Sequence, residues 1–423
     1  MQRGAPTISS PVTDVLTSPA PRATPDPDTP LGALHAYVER LKSGELGSLP
    51  VIVAMVGITV FFASKTSVFF TATNFNNLIG QVAGTALIAI GVVFVLLLGE
   101  IDLSVGFLSG VGGVCIAFFQ TQGHGYSVPG LVAVLLSLVL CTLIGAFQGS
   151  FVAFIAVPSF VVTLAGNLAL QAVIIRWVPQ TRSITIDDKY VNDVAGYYLP
   201  PAAGWLVAAG ISSAFGLSIA AAFRARRRAG LPTRNLTLPL IRWGLVSAVG
   251  FVVVAVCNHG SQHGVPISGL LLLAMLVLWT WVAGSTTFGR HVYAVGGNAE
   301  AARRAGINVV FVRLAVFMIS GLMAGVGGVV LASRINGVSS DQGGGPLLLY
   351  AIAAAVIGGT SLFGGRGRVI AALLGSVVIM SISNGLDLIG SSSWQKYVIT
   401  GVILLAAVAI DTFARRRQQG VGR

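Results

Sequence analysis

Charge is scarce in this sequence. Of its 423 residues only 9% are Asp, Glu, Lys or Arg, against about 25% in soluble domains, so the chain cannot cover itself with an ordinary hydrated surface. The 14 acidic residues form no paired set suited to acid–base chemistry. Cysteine is nearly absent, and Cys115, Cys141 and Cys257 all lie in or beside apolar runs, without metal-ligand spacing or an evident disulfide pair. His35, His124, His259, His263 and His291 are scattered over tail and loops. His259 and His263 share a turn, but neither a Cys nor a carboxylate joins them where a zinc site wants three or four ligands. No G-x-x-x-x-G-K-[ST] loop occurs, so any ATP that drives this protein is hydrolysed elsewhere. These absences exclude an enzyme constellation, a metal site and a cofactor of the chain's own. The first 30 residues also lack an apolar core behind a basic start, which excludes a secretory signal there.

What the sequence has instead is hydrophobicity, at 54% of residues, with a mean hydropathy of +0.85. The expected fold is an all-α, polytopic transmembrane bundle. Taking about 20 apolar residues per crossing, about a dozen spans are expected, at 49–64, 78–98, 103–119, 130–152, 160–178, 203–223, 243–257, 265–284, 309–331, 346–363, 369–389 and 396–413. Residues 1–30, rich in Pro, Ser, Thr and Asp, read as a disordered tail. Residues 31–48 read as an interfacial helix, from Leu34, Tyr37, Val38 and Leu41 at helical spacing, or as a simple lead-in turn. Residues 414–423 form a basic tail.

The net charge of +12 does not indicate nucleic acid. Its arginines sit at the ends of apolar segments, as in Arg224, Arg226, Arg227 and Arg228 or Arg415, Arg416 and Arg417, which is where the positive-inside rule places them. With alternating spans, 20 Lys and Arg fall on the side of the termini and 6 on the other. That bias puts both termini and the loop Phe288–Asn308 in the cytoplasm. Glycines at GxxxG spacing, Gly106 with Gly110 and Gly321 with Gly325, are read as helix packing.

Two segments are unusual for membrane helices. In Gly99–Gly106, GEIDLSVG, two carboxylates stand between apolar runs. Ionisable groups at membrane depth are costly and normally line water or meet a partner. Glu100, Asp102 and Ser104 are therefore pathway candidates; the plainer reading is a tight turn in which Asp102 or Ser104 caps the next helix. In Phe288–Asn308, FGRHVYAVGGNAEAARRAGIN, Asn298 is a good N-cap, Glu300 stands in a first turn, Arg303 and Arg304 near a last turn, and Gly306 is a natural stop. This encodes a short Ala-rich helix between two spans, suited to a partner's groove, since a bare connector needs no caps; the alternative is a solvated connector with no partner.

These two segments, with Val157–Asn167 (VPSFVVTLAGN), Val356–Arg368 (VIGGTSLFGGRGR) and Asn384–Ile389 (NGLDLI), resemble the membrane-spanning permease of bacterial ATP-binding-cassette importers for monosaccharides, the ribose, xylose and galactose group. The resemblance runs from about residue 75 to the C-terminus and is nearest the longer xylose-type members, which share a hydrophobic, Arg-rich insertion, here Trp205–Val282. It implies a multi-pass protein of the bacterial inner membrane, two permease copies around one pathway, a cytoplasmic ATPase carrying ATP and Mg, and an extracytoplasmic sugar-binding protein. It maps the ATPase-coupling loop onto Gly296, Gly297, Asn298, Glu300, Ala301, Ala302, Arg303, Gly306 and Ile307. Gly358–Gly365 would be a second cytoplasmic-side element, or flexible glycine packing.

A neutral polyol needs hydrogen-bonding groups and water more than charge. Thr163, Asn167 and Gln171, on one helical face by i, i+4 spacing, and Asn384 and Asp387 are the further pathway candidates. The competing use of such residues is interhelical glue. Two other functions are weighed. A branched-chain amino-acid permease shares the coupling loop. An ion-coupled secondary transporter needs intramembrane carboxylates, for which Glu100 and Asp387 offer themselves without an evident partner in the sequence.

Overall fold

The computed structural model describes residue 32 and residues 49–120, 128–178, 180, 183–231, 235–260 and 263–420. The expected N-terminal tail, all but one residue of the expected interfacial segment, His124, Arg182 and Arg234 lie outside the described residues.

Helices dominate. In order they are α1 (Leu49–Lys65), α2 (Ala72–Leu97), α3 (Val105–Gln120), α4 (Gly130–Phe154), α5 (Ser159–Trp177), α6 (Lys189–Gly196), α7 (Pro201–Arg228), α8 (Thr237–His259), α9 (Ile267–Ser285), α10 (Thr287–Gly297), α11 (Ala299–Arg304), α12 (Val309–Arg334), α13 (Leu347–Ile357), α14 (Ile370–Leu388) and α15 (Ser393–Gly420). The expected spans coincide in position with α1–α5, α7–α9 and α12–α15. Among the described residues, eight helices are long and apolar enough to cross a membrane, namely α2, α4, α5, α7, α8, α9, α12 and α14; α1, α3 and α13 are shorter apolar helices. Helix α15 continues to Gly420 through most of the expected basic tail, whose side chains lie outside the described residues.

The core is built on α2 and α12. Helix α2 starts at Thr71, whose hydroxyl accepts from Asn74 N, and is buried all round from Val82 to Leu97, the mark of a central helix. Helix α12 packs against α2, α3 and α4. In a lipid solvent such packing depends on close van der Waals approach more than on apolar transfer. The sequence supplies that closeness at Gly321, where a Cβ would collide with Cys141 O of α4, and at Gly328, where it would collide with Ser109 O of α3. Gly106 and Gly110 likewise lie against the backbone of Gly343 and Gln342, so both GxxxG pairs serve packing.

Four features differ from the sequence reading. The segment 346–363 is not one continuous span: α13 has 11 residues, about 16 Å of rise, roughly half a bilayer core. Gly359, at φ +102°, ends it, and the irregular stretch that follows keeps Thr360 and Ser361 buried inside protein, where non-helical backbone is tolerated at membrane depth. The loop 288–308 holds two helices, because Thr286 accepts from Gly289 N to start α10 and Val292 and Val295 bury its inner face. The all-α expectation is interrupted by two antiparallel ladders of two residues each. Strand β1 (Ile184–Thr185) pairs with β4 (Gly337–Val338), and β2 (Tyr198–Leu199) pairs with β3 (Val265–Pro266). Helix α6, capped by Asp188 through Val191 N, was not expected.

The ladders gather at one end of the bundle. The other end holds the C-terminus of α2, the start of α12, α10, α11 and the loop 358–369. Asn76 near the start of α2 donates to Cys257 O near the end of α8. These two helices are therefore antiparallel, and Arg242 and the arginines closing α7 share the end that carries Arg290, Arg303, Arg304, Arg313, Arg366 and Arg368. The Trp205–Val282 insertion supplies α7, α8 and most of α9; α7 and α8 stand at the periphery, mostly exposed.

Candidate functional site

Three glycine motifs far apart in sequence meet at the arginine-rich end. Helix α2 stops at Leu97, and Leu97 O accepts from Gly365 N at 2.9 Å. The corner between α10 and α11 seats on the same carbonyl: a Cβ on Gly296 would collide with Leu97 O and stand 3.0 Å from Gly365 N. On Gly364 it would stand 2.8 Å from Gly296 O and 2.9 Å from Gly99 N. Thus GEIDLSVG, the GGN corner and GGTSLFGG touch backbone to backbone, through residues that only glycine allows. Gly99, Gly364 and Gly365 all have positive φ, a conformation glycine adopts without the steric penalty a Cβ would bring. Tyr293 of α10 closes the contact by donating to Gly367 O at 2.9 Å. Burial pushes its phenol above the usual value, with Arg368 acting in the opposite sense, so the hydroxyl keeps the proton it donates.

Beyond this junction α11 faces outward. Asn298 accepts from Ala301 N at 2.9 Å, as its capping role requires. Glu300 pairs with Arg303 at 3.3 Å and Arg304 at 3.2 Å, and Gly306 takes φ +84° after the last turn. The cap, the charge placement and the stop read from the sequence are all present. Ala302 is the buried residue of the helix, while Gly297, Asn298, Glu300, Ala301, Arg303 and Gly306 are exposed and Ile307 is half-buried. Gly297 has open space where a Cβ would go.

On its inner side the junction continues into the loop between α2 and α3. Glu100 has a partner the sequence did not reveal: Arg313 of α12, 3.3 Å away and partly buried, as an ion pair without hydrogen-bond alignment. Asp102 is fully enclosed. Its Oδ1 accepts from Ser104 N at 2.9 Å and Ser104 Oγ at 2.7 Å, and its Oδ2 from Ser320 Oγ of α12 at 2.7 Å. It therefore forms an Asx turn just ahead of α3 and fastens that turn to α12. Helix α5 holds the other flank: Ile101 N donates to Ser159 Oγ at 3.1 Å and Leu103 N to Thr163 Oγ1 at 3.0 Å.

The pathway candidates thus fall into separate groups. Glu100, Asp102, Ser104 and Thr163 come together in this loop and spend polar atoms on holding it. Asn167 and Gln171 continue along α5, half-buried, and Asn167 Oδ1 is a buried acceptor without a hydrogen-bond partner among the described residues. Asn384 lies apart on α14, sharing two reciprocal 3.0 Å amide hydrogen bonds with Asn74 of α2. Asp387 pairs with Lys396 of α15, so it too has a partner the sequence did not reveal. Sequence reasoning missed Arg313, Ser320, Ser159, Tyr293 and Asn74. A lone arginine one turn into an apolar helix was the available signal for Arg313.

No group of three or more His, Cys, Asp or Glu able to hold a metal occurs among the described residues.

Comparison with known proteins follows the same segments. The family model described as "Branched-chain amino acid transport system / permease component" matches residues 74–408. The chain is similar to the xylose transport system permease protein XylH of Escherichia coli (strain K12), 37% identical over 383 residues, 89% of this chain and 94% of that protein. It is similar to the XylH protein of Haemophilus influenzae, 34% identical over 386 residues, 89% and 99% of the two chains. It is also similar to the ribose import permease protein RbsC of Escherichia coli (strain K12), 31% identical over 360 residues, 85% and 92% of the two chains. No solved structure matches.

Proposed function

Since the chain belongs to the family of ABC-importer permeases that includes the xylose and ribose types, we propose that it is the transmembrane subunit of an ATP-driven importer and forms the pathway for a monosaccharide, xylose. The observation that carries this reading is identity to xylose permeases along nearly the whole chain, taken with the convergence of GEIDLSVG and GGTSLFGG on the coupling-loop corner. The family model's description names branched-chain amino acids, but the full-length relatives above are sugar permeases, and that decides between the two substrate classes.

The working arrangement is as follows. The protein lies in the bacterial inner membrane with about a dozen spans and both termini in the cytoplasm, the orientation supported by arginine collecting at one end of the bundle. Helix α11 is the surface on which a separate ATPase presses, and the exposed Gly297, Asn298, Glu300, Ala301 and Arg303 make the contact. A displacement of α11 acts on Leu97 and Gly365 through Gly296, and on the α2–α3 loop through Gly99. Glu100–Arg313 and Asp102–Ser320 pass it to α12. A second permease copy completes the pathway, and an extracytoplasmic binding protein delivers the sugar. Asn167, with its free acceptor, and Gln171 meet the sugar hydroxyls; Asn384 and Asp387, held by Asn74 and Lys396, stand nearer the entrance.

Uptake of labelled xylose and labelled leucine by cells expressing the chain with its ATPase and binding protein tests the proposal. Xylose uptake that excess unlabelled pentose abolishes and leucine leaves intact is expected. Leucine uptake without sugar uptake would overturn it.

A further inference from the structure

The hairpin of α7 and α8 carries a groove remote from the glycine junction. Midway along it the two helices are clasped: Trp243 Nε1 donates to Ser212 O at 2.8 Å, and the Ser212 and Ser247 hydroxyls stand 2.7 Å apart. From this clasp towards the arginine-rich end the helices part. Small residues on α7, Gly216 and Ala220, leave an open groove of about 410 Å³, walled by Phe223, Leu236, Leu240 and the Trp243 ring. On α7 the lining residues recur at helical spacing along one face, and from Gly216 to Arg224 they run about 12 Å, close to one leaflet's share of a ~30 Å hydrocarbon core. The groove is almost wholly apolar and lies in a hairpin that is mostly exposed.

Its mouth is the opposite in character. Arg224 lines it, and Arg226, Arg227 and Arg228 complete the last turn of α7 beyond it, all exposed. From Val194 to Ala299 the sequence contains no Asp or Glu at all. The counter-charge for these arginines is therefore not supplied by this stretch of chain. None of the four has an acidic partner among the described residues. An apolar slot one leaflet deep, closed by unneutralised guanidinium groups at headgroup level, fits a single class of ligand. We propose that the α7–α8 groove binds an anionic phospholipid of the cytoplasmic leaflet, an acyl chain lying between Ala220 and Leu240 and the phosphate held by Arg224 and Arg227, three residues apart on one face of α7. Guanidinium suits this role because its fork matches phosphate oxygens, and basic pockets between membrane helices on the cytoplasmic side are known lipid sites.

Trp243 is a built-in reporter. The full-length protein is reconstituted in phosphatidylcholine vesicles containing brominated phosphatidylglycerol or brominated phosphatidylcholine, and the fluorescence lost on Trp243→Phe isolates this residue's contribution. Half-quenching of Trp243 is expected at a phosphatidylglycerol fraction at least tenfold below that for brominated phosphatidylcholine. Arg224→Gln and Arg227→Gln should each reduce the preference about fivefold, the worth of ~1 kcal/mol per arginine at a membrane surface. Ala220→Phe, which fills the groove and spares the arginines, should remove the quenching by both lipids. Equal quenching by the two lipids overturns the proposal, as does a preference that survives both Arg substitutions. If those substitutions instead release a co-purifying ATPase and leave lipid preference unchanged, the arginines serve a protein partner and the lipid site is rejected.

Discussion

Gly296 and Gly297 are adjacent, and the geometry assigns them opposite tolerances. A methyl group on Gly296 would enter the space of Leu97 O and press on Gly365 N, so Gly296→Ala must either break the 2.9 Å Leu97–Gly365 hydrogen bond or lift the α10–α11 corner off its seat. Losing the bond costs ~0.5–1.5 kcal/mol, and overpacking a close contact ~1–3 kcal/mol. A combined penalty near ~2 kcal/mol shifts the balance between seated and displaced corners by roughly 30-fold. At Gly297 a Cβ meets nothing within 4 Å, and one methyl adds little bulk to the face that meets the ATPase, so Gly297→Ala should be silent. The assay is sugar-stimulated ATP hydrolysis and xylose uptake by the assembled importer, with membrane yield as the control. Gly296→Ala should lose at least tenfold in uptake at unchanged yield, while Gly297→Ala transports normally. Equal behaviour of the two alanine variants, in either direction, would refute the junction as a mechanical contact.

Other consequences can be measured directly. Gly297→Trp and Glu300→Arg alter only the exposed surface at the end of α10 and on α11, so both should separate ATP hydrolysis from uptake without affecting insertion, read by comparing the two rates. Asp102→Ala strands donors on Ser104 and Ser320 inside the bundle, at ~1–3 kcal/mol per unsatisfied group; detergent-solubilised protein should melt several degrees lower, and Ser320→Ala should add little on top. Asn74→Leu or Asn384→Leu alone leaves an unpaired buried amide and destabilises, whereas the double variant should recover most of the loss. A double-mutant cycle should return a coupling energy of ~0.6–1.7 kcal/mol. Swapping the charges, Glu100→Arg with Arg313→Glu, should restore uptake that either single reversal reduces.

The sequence made local features visible. The caps of α11 could be read because Asn298, Glu300, Arg303 and Gly306 act within a few residues of one another. The spans could be read because lipid demands long apolar runs, and the arginine bias because it is a property of segments. Features that depend on distant partners were hidden. Nothing local in GEIDLSVG names Arg313 or Ser320, and the acidic residues offered as pathway groups were found engaged once those partners were in place. The half-length of α13 was missed because GGTSLFGG is apolar enough to pass for membrane helix, although its glycines turn the chain. The glycine junction was likewise out of reach. Each motif was noticed, but backbone contact between residues 99, 296 and 364 is a property of the fold alone.

The most direct test of the central claim uses proteoliposomes containing this chain and its ATPase, with ATP enclosed, the binding protein outside and no ion gradient. The account predicts accumulation of labelled xylose that requires both ATP and the binding protein. Xylose accumulation that ignores ATP and follows an imposed proton or sodium gradient would contradict it.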